Sequence, residues 1–259
     1  MKIISASRRE DMPAFHFPEL KAAYDQYEAK EPNFWVFWTK DCDNLINSGF
    51  DFNRAYLQLT ITGLGGTPLE PGVPKADTVI ESLTQLIGKG FSPNHISWRL
   101  DPIIPTYHNY SMIDDLAYKI GRLGITRCTS SFITWYGHVK ERWPEGASTQ
   151  WSIPKQRTMI AVIKDILSKR NIELYGCAQP ALNCIVKPAK CMDGDLYKNL
   201  TGISFDSTKD PSQRNSCGCT LSTDIGRYRQ CPHRCLYCYG KKSVSKQQTF
   251  SLASADSER

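Results

Sequence analysis

Three cysteines fall within eight positions in Cys231-Pro-His-Arg-Cys235-Leu-Tyr-Cys238-Tyr-Gly240. Thiols at this density are metal ligands. Two chemistries compete for the spacing. A structural zinc ion takes four ligands in a closed tetrahedron, and His233, Cys217 or Cys219 could complete such a set. His233 lies inside the same short loop, from which reaching the same ion is awkward. A [4Fe–4S] cluster is held by thiolates at its iron corners. Three thiolates on a tight loop would occupy three irons and leave the fourth open to chelate a small molecule. Three sulfurs rather than four are therefore a pattern suited to chemistry.

The chain carries 10 cysteines, and five of them lie between Cys217 and Cys238. Cys177, Cys191, Cys217 and Cys219 remain once the loop is assigned. Four thiols suffice for a second, fully ligated cluster or for a zinc ion. The cluster could relay an electron; the zinc would only pin the segment. Free buried cysteines acting as small apolar residues are the alternative. Cys42, Cys128 and Cys184 are read as packing.

The elements that must position these residues follow from hydrophobic period. Apolar, β-rich runs at 2–6, 34–38, 55–62, 95–100, 130–134 and 172–177 read as six strands. Between them come runs at helical spacing, such as Val79, Ile80, Leu83, Leu86 and Ile87 with Gly88 and Gly90 as stops. Ser111 is the expected cap of the helix carrying Met112, Ile113, Leu116 and Ile120. Alternating strands and helices predict a parallel sheet. Six units predict a partial (β/α)6 TIM-like barrel with a cysteine-rich C-terminal segment; a doubly wound sheet is the alternative. The expected division is a barrel over 1–178, a cluster-binding segment over 179–240 and a polar, Ser-rich, disordered tail over 241–259.

Polar residues gather just after each strand, where parallel barrels carry their active sites. Arg8 and Arg9 follow the first strand, Lys40 the second and Thr62-Gly63 the third. Arg99 and Asp101 end the fourth, and Cys177 the sixth. Arg9, Arg99 and Asp101 are the candidate catalytic residues, and Arg8, Arg9 and Lys40 could hold a phosphate or carboxylate. Trp135, Tyr136 and Trp143 could stack on a base over the mouth, and His108 or His138 could move a proton. Loop packing is the plainer role for each of these.

The chain has 259 residues, 41% of them hydrophobic, and a net charge of +6. That excess suits anionic ligands and is too weak to establish nucleic-acid binding. No apolar run approaches the length of a membrane span, and the opening MKIISASRRED turns polar too soon for a signal peptide. A cytoplasmic protein without disulfides is expected.

The spacing C-x3-C-x2-C, with Tyr237 just before the last cysteine, resembles the cluster loop of the radical S-adenosylmethionine (SAM) enzymes. The resemblance implies a six-unit partial barrel and an open iron that binds the amino and carboxylate groups of SAM. It also implies that one electron from the cluster splits a carbon–sulfur bond, usually giving a 5′-deoxyadenosyl radical that abstracts hydrogen from substrate. In most of that superfamily the loop follows the first strand, where this chain has the cysteine-free SASRREDMP. Over nearly its whole length the sequence is more similar to an uncharacterised family of radical-SAM-like proteins, known only as a domain of unknown function and likened to spore photoproduct lyase. The shared blocks stand at 3–15, 37–40, 59–63, 69–74, 98–103 and 217–239.

TGLGGTPLEP, at 62–71, loosely resembles the segment by which radical enzymes hold the methionine amino group through backbone carbonyls. On that resemblance Thr62, Gly63, Gly65 and Gly66 become candidate SAM contacts, and Arg99 could pair with its carboxylate or simply with Asp101. The expected function is a radical SAM enzyme acting on a small-molecule or nucleic-acid-derived substrate, supplied with electrons by a flavodoxin- or ferredoxin-type reductant. The rivals are a zinc-stapled binding protein and an electron-transfer iron–sulfur protein.

Overall fold

The computed structural model describes residues 1–143 and 150–240; the expected tail at 241–259 lies outside the described residues. Strands β1 (Lys2–Ala6), β2 (Asn33–Thr39), β3 (Ala55–Thr60), β4 (Ile96–Ile103), β5 (Arg127–Phe132) and β6 (Glu173–Gly176) correspond to the six expected ones. Two two-residue strands join them, β7 (Lys187–Pro188) and β8 (Thr223–Asp224). All eight form a single sheet in the order β7-β6-β5-β4-β3-β2-β1-β8. Every pairing is parallel. The order never reverses from β1 to β7, which sets aside the doubly wound alternative, and the sheet is open between β7 and β8. The expected six strands are thus corrected to eight. The cysteine-rich segment supplies the last two edges.

The helices are α1 (Met12–Phe15), α2 (Phe17–Glu28), α3 (Ala76–Gly88), α4 (Tyr110–Gly121), α5 (Gly137–Lys140), α6 (Ile153–Ser168) and α7 (Gly194–Thr201). Asn109, not Ser111, caps α4, accepting from the Met112 amide at 2.9 Å. A single 3-10 turn at Asp43–Leu45 follows β2.

Side chains alternate across each strand, and the two faces bury different partners. Ile4, Trp35, Phe37, Leu57, Leu59, Trp98, Leu100 and Cys128 face the apolar stripes of α2, α3, α4 and α6. Ile3, Phe34, Val36 and Tyr56 point the other way, onto Met192 and Tyr197. Tyr197, on α7, stacks on Phe34 at 4.5 Å between ring centroids and lies 5.1 Å from Tyr56. The cysteine-rich segment therefore fills the inner face of the sheet. Its burial there explains why a loop-rich, weakly periodic stretch is ordered at all. Among the described residues no helix is long and apolar enough to cross a membrane.

Candidate metal centre

The three-cysteine loop reaches the C-terminal ends of the strands from the far end of the chain. Cys235 and Tyr237 pack with Leu64, Leu69 and Val73 between β3 and α3, with Ile104 after β4, and with Val139 and Trp143 after β5. Two main-chain hydrogen bonds fasten it, Leu236 N to Leu69 O at 2.9 Å and Gly72 N to His233 O at 3.1 Å. Gly72 is required by this approach: a Cβ there would stand 2.3 Å from Pro232 O and 2.9 Å from His233 Cα. His233 lies 2.9 Å from Gly72 O through Nδ1 and 2.8 Å from Asp11 Oδ2 through Nε2. Both its ring nitrogens are engaged in holding the loop, which corrects the zinc set built on three cysteines and His233. Its ring also meets Phe15 edge-on at 4.5 Å.

Behind the loop lies a buried polar knot. Glu70, 1% exposed, accepts from Thr62 Oγ1 at 2.8 Å, from Lys40 Nζ at 2.9 Å and from the Tyr237 hydroxyl. Lys40 Nζ also reaches the Tyr237 oxygen at 2.8 Å. Burial alone would raise the Glu70 pKa, but Lys40 and the two hydroxyl donors override it and hold the carboxyl below its ordinary value. Burial pushes the Cys235 thiol up to about 12, against the opposing charge of Lys40. It pushes Cys231 up to about 11. A metal held by Cys231 and Cys235 would displace the protons of those two thiols.

Arg142 approaches the same loop from the segment after β5, donating from Nη2 to the Cys238 carbonyl. Its Nε and Nη1 are buried and have no hydrogen-bond partner among the described residues. Burial lowers its pKa, opposed by Cys238 and Cys235. Nothing in the sequence marked this residue; only the fold brings it to the thiols.

A second thiol group lies on the inner face of the sheet. Cys177, directly after β6, and Cys191, after β7, have their sulfurs 3.7 Å apart. Cys217 and Cys219 are buried in the same inner-face cluster as Cys191, and Cys177 packs against it. Arg99 Nη1 donates to Cys191 Sγ at 3.0 Å, and its Nη2 pairs with Asp101. Asp101 in turn accepts from Ser131 Oγ. The thiol donors Cys177 and Cys219, with Arg99, hold Cys191 well below its ordinary pKa. Cys217 is likewise brought down to about 6 by the Cys219 thiol. Among the described residues no group of three or more histidine, cysteine, aspartate or glutamate side chains is placed as it would be to hold a metal ion. Cys42 and Cys128 lie in the helix-side core and Cys184 is exposed.

The other expected residues divide between these two groups. Arg8 lies 3.7 Å from both Asp210 and Asp224. Arg9 Nη1 donates to Gly226 O at 3.1 Å, and its guanidinium lies 5.5 Å from the centre of the Tyr228 ring. Asp224 fastens β8 to β1, accepting from Ser7 Oγ at 2.7 Å, Ser5 Oγ at 3.1 Å and the Arg8 amide at 3.1 Å. Gly63 and Gly66 have φ of +82° and +78°, and a Cβ on Gly65 would meet Pro74 O at 2.0 Å. The loop's own folding thus accounts for these glycines. His108, after β4, is buried with its Nε2 2.9 Å from Thr62 O, and His138 Nε2 lies 3.1 Å from Tyr239 O beside the cysteine loop. Trp135 and Trp143 pack edge to face at 4.9 Å against the loop's apolar underside.

Residues 3–240 match the family model of a domain of unknown function, DUF1848. The chain belongs to this family. The match ends just past the three-cysteine loop, so the DUF1848 unit includes both thiol groups and the whole sheet. No functionally curated protein matches the chain.

Proposed function

We propose that this DUF1848 protein is a radical SAM enzyme whose cluster loop enters from the C-terminus of the chain instead of following the first strand. Cys231, Cys235 and Cys238 would hold three irons of a [4Fe–4S] cluster. With SAM on the fourth iron, the cluster would supply the electron that splits a carbon–sulfur bond of that cofactor. The open sheet is then read as a partial barrel whose mouth the loop covers. One observation carries the proposal: a loop with three thiols is packed over the C-terminal ends of a parallel sheet, while the other cysteines of the described residues lie elsewhere.

The residues present fit that group. Cys231, Cys235 and Cys238 each lie within reach of the others' charge. No thiol–thiol hydrogen bond like that of Cys177 and Cys191 joins them among the described residues. Arg142 offers two buried, unpartnered guanidinium nitrogens beside the loop, suited to an anionic centre or to the cofactor's carboxylate. Arg99, the expected carboxylate partner, has its guanidinium engaged by Cys191 and Asp101. The buried Glu70–Lys40–Tyr237 knot orients the loop from below. A small-molecule or nucleic-acid-derived substrate and a flavodoxin- or ferredoxin-type reductant complete the reading.

The test is anaerobic reconstitution with iron and sulfide, dithionite reduction and chromatography of SAM incubated with the protein. Cleavage products that vanish in Cys235→Ala support the proposal. A brown protein that leaves SAM intact would make it an electron carrier, and a colourless zinc protein would end the redox reading altogether.

A further inference from the structure

The inner thiols sit where the sheet fails to close. Cys177 follows β6 and Cys191 follows β7, at one edge; Cys217 and Cys219 precede β8, at the other. The cysteines therefore bring together the two ends of an open sheet. We propose that Cys177, Cys191, Cys217 and Cys219 bind a single tetrahedral zinc ion that staples these ends, independently of the proposed cluster.

One close sulfur pair has the spacing a zinc ion needs. Zinc–thiolate bonds of about 2.3 Å in a tetrahedron place the sulfurs about 3.8 Å apart. The Cys177 and Cys191 sulfurs are 3.7 Å apart. Thiolates on a cubane sit on separate irons and point outward, so they stand farther apart. The spacing also exceeds a disulfide's bond of about 2.05 Å. Cys217 and Cys219 share the buried cluster of Cys191, and side-chain rotation about Cα–Cβ would bring the four sulfurs into a tetrahedron.

The surroundings suit an anionic four-thiolate site. Arg99 donates to Cys191 at 3.0 Å, and Arg8 lies within charge range of Cys217. The main chain is built for the purpose as well. Thr220 N donates to Met192 O at 2.8 Å, and Asp210 N to Cys219 O at 2.8 Å, fixing the two cysteine-bearing strips side by side. Gln58 Nε2 donates to Cys191 O at 2.6 Å and Tyr197 OH to the same oxygen at 3.1 Å. Ala178, next to Cys177, has a φ of +49°, a left-handed conformation that is strained for a non-glycine residue. Such strain persists where the surroundings enforce it, often at ligand sites.

Zinc content and zinc-edge X-ray absorption of full-length protein, purified anaerobically without added metal, test the proposal. The expected result is about one zinc per chain with four sulfur neighbours near 2.3 Å. The zinc should persist in Cys231→Ala/Cys235→Ala/Cys238→Ala and be lost in Cys191→Ser/Cys219→Ser. A nitrogen- or oxygen-containing shell, zinc lost with the loop cysteines, iron in place of zinc at the inner site, or a metal-free Cys177–Cys191 disulfide would each overturn it. The absorption spectrum of the wild-type protein decides even if the inner-cysteine variant does not fold. SAM cleavage does not enter the readout, so this proposal and the radical one fail separately.

Discussion

The hydroxyl of Tyr237 donates to the carboxylate of Glu70 across 167 positions of sequence. This bond joins the aromatic residue of the three-cysteine loop to the loop after β3, and Lys40 bridges both partners. Removing the carboxylate leaves Lys40 a buried cation without its counter-charge. Glu70→Ala should therefore lose about 3 kcal/mol in urea denaturation. Tyr237→Phe removes one hydrogen bond and should lose about 1 kcal/mol. Equal losses would mean that Lys40 finds its compensation elsewhere.

Gly72 lets the cysteine loop touch the β3 loop. In Gly72→Ala the added methyl overlaps the Pro232 carbonyl at 2.3 Å, and backbone on both sides must separate. The expected outcome is a folded protein whose loop takes up little iron on reconstitution while the inner thiols keep their metal. Iron and zinc analysis of the one variant reads both. Undiminished iron would show that the strap does not position the thiols.

Arg142 carries two buried guanidinium nitrogens without a hydrogen-bond partner among the described residues. A charged hydrogen bond contributes about 1.5–3 kcal/mol, so Arg142→Met should weaken SAM binding by about tenfold to a hundredfold at unchanged iron content. Equilibrium dialysis against the reconstituted protein measures it. Unchanged affinity would leave Arg142 as a support for Cys238 alone.

His108 is buried between the ends of β3 and β4, accepting from the Ile104 amide at 3.0 Å through Nδ1 and lying 2.9 Å from Thr62 O through Nε2. Burial lowers its pKa from the ordinary value of 6.5. The unfolded chain thus binds the proton first. Stability is fully present above pH 6.5 and falls as pH drops from there toward the folded pKa, with a slope of up to about 1.4 kcal/mol per pH unit. Urea midpoints of the apoprotein between pH 7 and 5 should show this slope, and His108→Gln should flatten it.

The sheet was legible because its strands are apolar on both faces. FWVFW and AYLQLT announce burial whichever face they turn, and the mouth residues follow from where those runs stop. β7 and β8, at two residues each, are too short to show a period. They exist because the cysteine-rich segment packs back on the inner face. β5 begins at Arg127, earlier than its apolar run, because that guanidinium lies 3.7 Å over the Tyr175 ring of β6 and joins the sheet by stacking. The loop thiols stand out in the sequence by spacing, the inner four only as those left once the loop is assigned. Arg142 and the Gly72 strap could not, since each acquires its role only from residues distant in sequence. For the loop glycines both readings stand, because a glycine needed for tight packing looks the same in sequence as one needed for a ligand.

Mössbauer spectroscopy of protein reconstituted with 57Fe, recorded with and without SAM, addresses the three-thiol loop most directly. The account predicts a four-iron cluster in which one iron alone changes its isomer shift when SAM is added. Four irons indifferent to SAM, or no cluster iron bound by Cys231, Cys235 and Cys238, would contradict it.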